Sequence, residues 1–293
     1  MRKAYYQLHL AVLLAGFTGI LGRLITMNEV MIVWYRLLIT ALTMWAIFLY
    51  KKKIQAIDFK TLLKIMGVGV LAASHWLFFY GSIKYSNVSV SLVCFSLLSF
   101  FTALLEPVIL KQRLNKIELL LGMITLSGVY LIFHFDTRYK TGIILGVLSA
   151  LLAAIFPIFN RELLKKTNKE TMLSFQQSGG FLFVTLLLPF YDKFIGIGNF
   201  IPSISNFGWL LVLAWICSVW AFQLSASALT KLSAFTVNLS YNLEPVYGIV
   251  LAFLFFREDQ FLSKWFYWGF AIIGIALIAH VYLLFNKKIK TPQ

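Results

Sequence analysis

Ten continuous apolar runs divide the chain, at roughly 7–26, 30–50, 61–83, 87–110, 117–135, 142–160, 171–190, 207–229, 234–256 and 265–285. Each is close to the ~20 residues that carry an α-helix across a hydrocarbon core. Polar residues do not alternate with apolar ones inside the runs, as the strands of an outer-membrane barrel require. The pattern therefore predicts an all-α integral membrane protein of ten transmembrane helices. The longest connection, about 191–206, has no room for a soluble domain. Met1-Arg2-Lys3 precedes the first run, which is too long for a signal-peptide core and ends without an A-x-A site, so it is expected to be the first span.

The chain repeats itself. Residues 82–135 align with 228–281 at a constant offset of 146, pairing Leu97 with Leu243, Leu105 with Leu251, Gly128 with Gly274, Ile132 with Ile278 and His134 with His280. Each half holds five spans, so the second copy is expected to enter the bilayer upside down. Inverted repeats around a midplane site are a device of secondary transporters. The expected division is 1–138 for the first repeat and 139–293 for the second. Glu106-Pro107 and Glu244-Pro245 look like a matched pair, but at offset 146 Glu106 falls on Ala252 and Glu244 on Leu98.

Composition agrees: 60% of the 293 residues are hydrophobic, well above the ~45–50% of a soluble domain. A net charge of +15 suggests nucleic acid, but the placement of the charges explains it differently. Of 26 Lys and Arg, 18 fall in one alternate set of connections and tails and 6 in the other, with Arg23 and Arg36 in or near spans. The positive-inside rule places the rich side, with both termini, in the cytoplasm. No nucleic-acid partner is expected. Cys94 and Cys217 lie inside spans without metal-type spacing and read as buried thiols.

Several segments resemble the EamA-type members of the drug/metabolite transporter superfamily. Leu243-Glu244-Pro245-Val246 followed by Arg257-Glu258-Asp259 is similar to the family pattern of a proline ending the repeat's fourth helix with a glutamate about 13 residues later. Ser99 and Gln112 stand at those places in the first half. Ser82-Ile83-Lys84-Tyr85-Ser86 resembles the junction between the repeat's third and fourth helices, and Trp34-Tyr35-Arg36-Leu37 the aromatic-Arg pair of its second. The resemblance implies a five-plus-five inverted repeat around a cavity lined mainly by helices 1, 3, 4, 6, 8 and 9. It also implies transport of small organic solutes, amino acids among them, by alternating access.

Glu244 is the leading site candidate. A carboxylate at mid-bilayer costs ~2.5–3.5 kcal/mol on insertion scales, so it is expected to face the interior or a water-filled cavity. Removal from water disfavours its charged form, which suits proton exchange. Pro245 frees the carbonyl of Tyr241, and Pro157 that of Ala153, as hinge candidates. Asn238, Asn242 and Pro245 share one helix face beside Tyr241, with Ser96 and Ser99 at the matching places of the fourth span. His75, Trp76 and Tyr80 on the third span, and Trp220 and Gln223 on the eighth, complete a substrate-binding set, with His75 a second proton-handling candidate. The alternative for the hydroxyls and amides is interhelical hydrogen bonding. Arg23, its repeat mate Arg161 and Arg36 are assigned gating or structural roles.

No H-E-x-x-H, G-x-S-x-G, acidic metal cluster or P-loop is present, so no enzymatic activity, cofactor or metal is expected. The sequence points to an alternating-access carrier, most simply a proton-linked or facilitative exporter of amino acids or similar metabolites in the bacterial inner membrane, with the lipid bilayer and the solute as partners. A flippase of a lipid-linked or amphipathic substrate is the alternative.

Overall fold

In the computed structural model, residues 2–290 are described apart from 136, 233 and 242, and for 135, 137, 234, 235, 238, 239, 280, 281 and 284–290 the backbone alone is described. Ten helices run in chain order: α1 (Arg2–Leu24), α2 (Glu29–Tyr50), α3 (Phe59–Tyr85), α4 (Val88–Leu110), α5 (Lys116–Phe135), α6 (Lys140–Leu163), α7 (Lys169–Phe194), α8 (Ile204–Leu229), α9 (described as Ala234–Tyr241 and Leu243–Phe256) and α10 (Lys264–Lys290). The first eight are long and apolar enough to cross a membrane, and the apolar stretches Leu243–Phe256 and Lys264–Ala279 are shorter. Every expected span is a helix, and the observed ends differ by a few residues.

Side-chain caps set the starts. Asn28, Asp58, Asn87, Asn168 and Ser203 each accept from a backbone N–H three residues on, at 2.8–3.2 Å, satisfying a donor that the helix leaves open. The ends of α4 and α9 carry the repeat in the backbone itself. Lys111 and Arg257, exact mates at offset 146, both adopt left-handed φ, 54° and 53°. A non-glycine residue in that conformation costs roughly 1–2 kcal/mol, so its recurrence marks a shared helix stop.

The packing repeats as well. α3 lies against α6 and α7, and α8 correspondingly against α1 and α2. α4 packs on α6 and α9 on α1, while α2 meets α7, α4 meets α9 and α5 meets α10. Shifting every helix by five maps this scheme onto itself, as a pseudo-two-fold axis requires. The second copy is inverted: near the end of α3 the Ser82 hydroxyl donates to the Gly142 carbonyl at the start of α6, at 2.6 Å, while His75, seven residues earlier on α3, meets Ser149, seven residues later on α6, so the two helices run antiparallel. The closest crossings use glycine. A Cβ at Gly69 in α3 would lie 2.0 Å from the Gln176 carbonyl oxygen of α7, and one at Gly128 in α5 would lie 2.7 Å from the Gly269 carbonyl oxygen of α10.

Two helices depart from regularity at the centre. In α4 the segments Val88–Phe95 and Leu98–Leu110 are joined through Ser96 and Leu97, where the Ser96 hydroxyl bonds back to the Val93 carbonyl and tightens the turn. In α8 Trp215–Trp220 is a π-helical stretch in which the Ser218 hydroxyl donates to the Leu213 carbonyl at 2.9 Å. Both irregularities border the cavity described next.

Candidate functional site

A cavity of about 110 Å³ lies between the two repeats. Its walls are symmetric in position and asymmetric in chemistry. Trp76 and Phe222 are mates at offset 146, and their rings stack with centroids 5.4 Å apart and planes at 9°. Phe95 and Tyr241, Phe79 and Ser225, Leu98 and Glu244, and His75 and Ala221 are further mates, and all line the cavity. Counted from the capping residues Asn28 and Asn168, Arg36 of α2 and Gln176 of α7 hold the same place, and both line it too. The cavity thus sits on the pseudo-two-fold axis, yet its charged residues, Arg36 and Glu244, each have a neutral mate.

Arg36 is 2% exposed. Its Nε donates to Ser218 Oγ at 2.8 Å, Nη1 to the Tyr80 hydroxyl at 2.9 Å and Nη2 to the Cys217 carbonyl at 3.5 Å. The guanidinium lies 4.3 Å from the Trp76 ring centroid and 5.5 Å from that of Phe222, a favourable place for a cation. The π-helical stretch of α8 makes this possible by turning the Ser218 hydroxyl and the Cys217 carbonyl to one side. π-Bulges inside α-helices are frequent at functional sites for this reason.

Glu244 is 5% exposed and has no hydrogen bond or ion pair with a side chain among the described residues. It shares the cavity with Arg36, whose bonds are already directed to three other groups. An unpaired buried carboxylate costs several kcal/mol. His75, also buried, has Nδ1 at 3.0 Å from the Ser149 carbonyl and 2.8 Å from its hydroxyl, among the rings of Trp76, Phe79, Phe95 and Phe156. A carbonyl only accepts, so this contact puts the proton on Nδ1 and leaves Nε2 as the acceptor.

The cavity extends farther toward one face of the bundle than toward the other. Its lining includes Asn160, Leu173, Leu229 and Val237, all within a turn or so of helix ends on the lysine-rich face. Toward the lysine-poor face it stops at Phe79 and Arg36, six and seven residues short of the ends of α3 and α2. There a clamp closes the bundle. Glu258, 1% exposed, accepts from the Val88 amide at 3.1 Å, the Ser89 amide at 2.8 Å and the Ser89 hydroxyl at 2.6 Å, and pairs with Arg23. A carboxylate on helix-terminal N–H groups is strongly favoured. Of the mates on the lysine-rich face, Gln112 is exposed and half-buried Arg161 has no hydrogen bond with a described residue.

The structure therefore brings His75, Trp76, Tyr241, Glu244, Pro157 and Arg36 together at one cavity. Tyr80 does not line it but holds Arg36. Pro245 is buried beside Glu244 in Leu243–Phe256. Ser96 and Ser99 lie apart, in a small cleft against α5 and α10. Trp220 is 50% exposed on the bundle surface, and Gln223 donates to the Val219 carbonyl within α8 at 3.0 Å. The side chain of Asn238, and all of Asn242, lie outside the described residues. The lining also differs from the helix set expected above: α2 and α7 contribute Arg36, Leu173, Gln176 and Gln177. Sequence reasoning missed Gln176, Gln177, Asn160 and the clamp role of Glu258. The eight-residue spacing from each asparagine cap was the available signal for Gln176.

An inverted pair of five-helix repeats enclosing one buried, charged cavity on their shared axis defines a multi-pass membrane transporter. The model of the EamA-like transporter family matches residues 2–134 and again 140–280, and the chain belongs to that family. A protein of Haemophilus influenzae described as an uncharacterized transporter is 33% identical over 157 residues, covering 50% of this chain and 51% of its own. Another of that description from Archaeoglobus fulgidus is 26% identical over 236 residues, 78% of this chain and 76% of its own. A third, YxxF of Bacillus subtilis, is 24% identical over 229 residues, 75% of this chain and 71% of its own. The match thus spans about half of the first relative and about three quarters of the others. One solved crystal structure superposes with a TM-score of 0.68 at 15% identity, over 99% of this chain and all of the other, which is a likeness of fold.

Proposed function

We propose that the protein is a secondary carrier of amino acids or closely related zwitterionic metabolites, exchanged for protons by alternating access of the central cavity. Its repeats are taken as 1–138 and 139–293, with the lysine-rich face and both termini in the cytoplasm of a bacterial inner membrane, so that the cavity faces inward and the exchange drives export. The observation that carries the proposal is Glu244: a buried carboxylate in the cavity, without a hydrogen-bond partner among the described residues, near a guanidinium already held by Ser218, Tyr80 and Cys217.

In this mechanism Arg36 receives the substrate carboxylate through the second N–H of each Nη nitrogen. Glu244 receives either the substrate ammonium or a proton. The two are mutually exclusive at one carboxylate, which is what couples opposite fluxes. The stacked pair of Trp76 and Phe222 forms one apolar side of the site, and His75 offers Nε2 as a second proton acceptor. Opening to the other side requires Glu258 to leave the amino end of α4. Counterflow of labelled amino acids in proteoliposomes tests the proposal: accelerated exchange is expected, and lipid scrambling with no counterflow of any small solute would favour a flippase instead.

A further inference from the structure

Three amides on the lysine-rich half of the cavity have no role in binding a charged head group. Gln176 and Gln177 are each 3% exposed and Asn160 is 6% exposed. All three line the cavity, and their side-chain oxygens are buried without a hydrogen-bond partner among the described residues. Buried polar groups in native proteins are nearly always paired, so three unpaired acceptors, one on α6 and two on α7, call for donors from what the cavity holds.

Their depth is fixed by the packing. The Gln176 backbone lies against Gly69 of α3, six residues toward the lysine-rich face from His75. At 1.5 Å per residue the amides begin about 9 Å from the depth of His75 and Trp76, where Arg36 sits. At ~1.2 Å per bond an extended chain of about seven bonds spans that gap. Position by position, Arg36 recurs as Gln176 on the other side of the axis, so the cavity has one ionic pole and one amide pole.

We propose that Gln176, Gln177 and Asn160 form a second subsite that accepts hydrogen bonds from the far end of the substrate, selecting amino acids with long donor-bearing side chains, such as an amide, amine or guanidine, over aliphatic and aromatic ones. This rests on the amino-acid reading above and adds the side-chain class. A site built from buried acceptors rejects analogues that leave those acceptors unpaired.

The test is counterflow in proteoliposomes with labelled glutamine, lysine, arginine, leucine and phenylalanine, for the parent protein, Gln176→Leu, Gln177→Leu and Asn160→Leu. The parent is expected to favour at least one donor-bearing substrate over leucine by about tenfold or more in kcat/KM. Gln176→Leu and Gln177→Leu are each expected to lower that ratio several-fold while leucine exchange is kept. Equal or better exchange of leucine by the parent overturns the subsite without any variant, as does a uniform loss of all fluxes in folded variants. Absence of exchange for every amino acid overturns the amino-acid reading itself.

Discussion

Replacing Glu258 with glutamine keeps the size of the side chain and removes the charge that closes the lysine-poor face. The carboxylate accepts three hydrogen bonds from Val88 and Ser89 and pairs with Arg23. Hydrogen bonds to a charged group contribute about 1.5–3 kcal/mol each. The pair with Arg23 adds at most about 1 kcal/mol, because the arginine side chain is 39% exposed and screened. Glutamine keeps one acceptor oxygen but presents N–H groups to amide N–H groups at the other position. A net loss of about 2–4 kcal/mol from the closed arrangement shifts its equilibrium with an open one by roughly 30- to 1,000-fold. Cys217 lines the cavity and supplies the reporter, in a background where Cys94, buried against Gly146, is replaced by alanine. A membrane-impermeant thiol reagent added at the lysine-poor face is expected to leave Cys217 unmodified in the Glu258 protein and to label it in Glu258→Gln. If labelling from that face is unchanged, while labelling from the lysine-rich face shows an intact fold, the clamp does not govern access.

Gly69→Ala places a Cβ 2.0 Å from the Gln176 carbonyl oxygen and is expected to cost about 1–3 kcal/mol or more. Gly67→Ala meets nothing within 4 Å and is expected to be neutral or stabilising by ~0.5–1 kcal/mol; thermal unfolding in detergent compares the two. Arg36→Lys loses the fork that reaches Ser218, Tyr80 and Cys217 together, so exchange is expected to fall at least about tenfold in kcat/KM with the fold kept. Asp58 caps α3, and the Thr61 hydroxyl and amide hold its carboxyl below the ordinary 3.8. A lowered folded pKa gives stability that is present above the unfolded value and lost as pH falls through the folded one. The unfolding temperatures of the parent and Asp58→Ala are therefore expected to differ at pH 6 and to converge below pH 4.

The fold was legible because a bilayer leaves few options: ten apolar runs of spanning length had to be helices, and an odd number per repeat had to invert the second copy. Glu244 and His75 stood out for the same reason, as titratable groups where water is scarce. Arg36 was visible but open to two interpretations, since only the π-helical stretch of α8 shows which groups hold it. Ser96 and Ser99 were placed at the cavity by repeat symmetry with Asn242 and Pro245, yet the tightened turn at Ser96 directs them to α5 and α10. Gln176 and Gln177 do not stand out in the sequence, because an amide in a span is compatible with interhelical bonding, and only the packed structure shows their oxygens without partners among the described residues. Glu258 reads from the sequence as a loop acid. Its burial depends on a left-handed turn at Arg257 and on the amino end of α4, 170 residues away.

The central claim is that Glu244 alternates between a proton and the substrate. Initial rates of labelled amino-acid uptake into proteoliposomes, measured with and without an imposed pH gradient for the parent and Glu244→Gln, test it most directly. The expected result is a gradient-driven component in the parent and none in the variant, which retains at most gradient-independent exchange. A variant whose flux keeps the full response to the gradient would contradict the account.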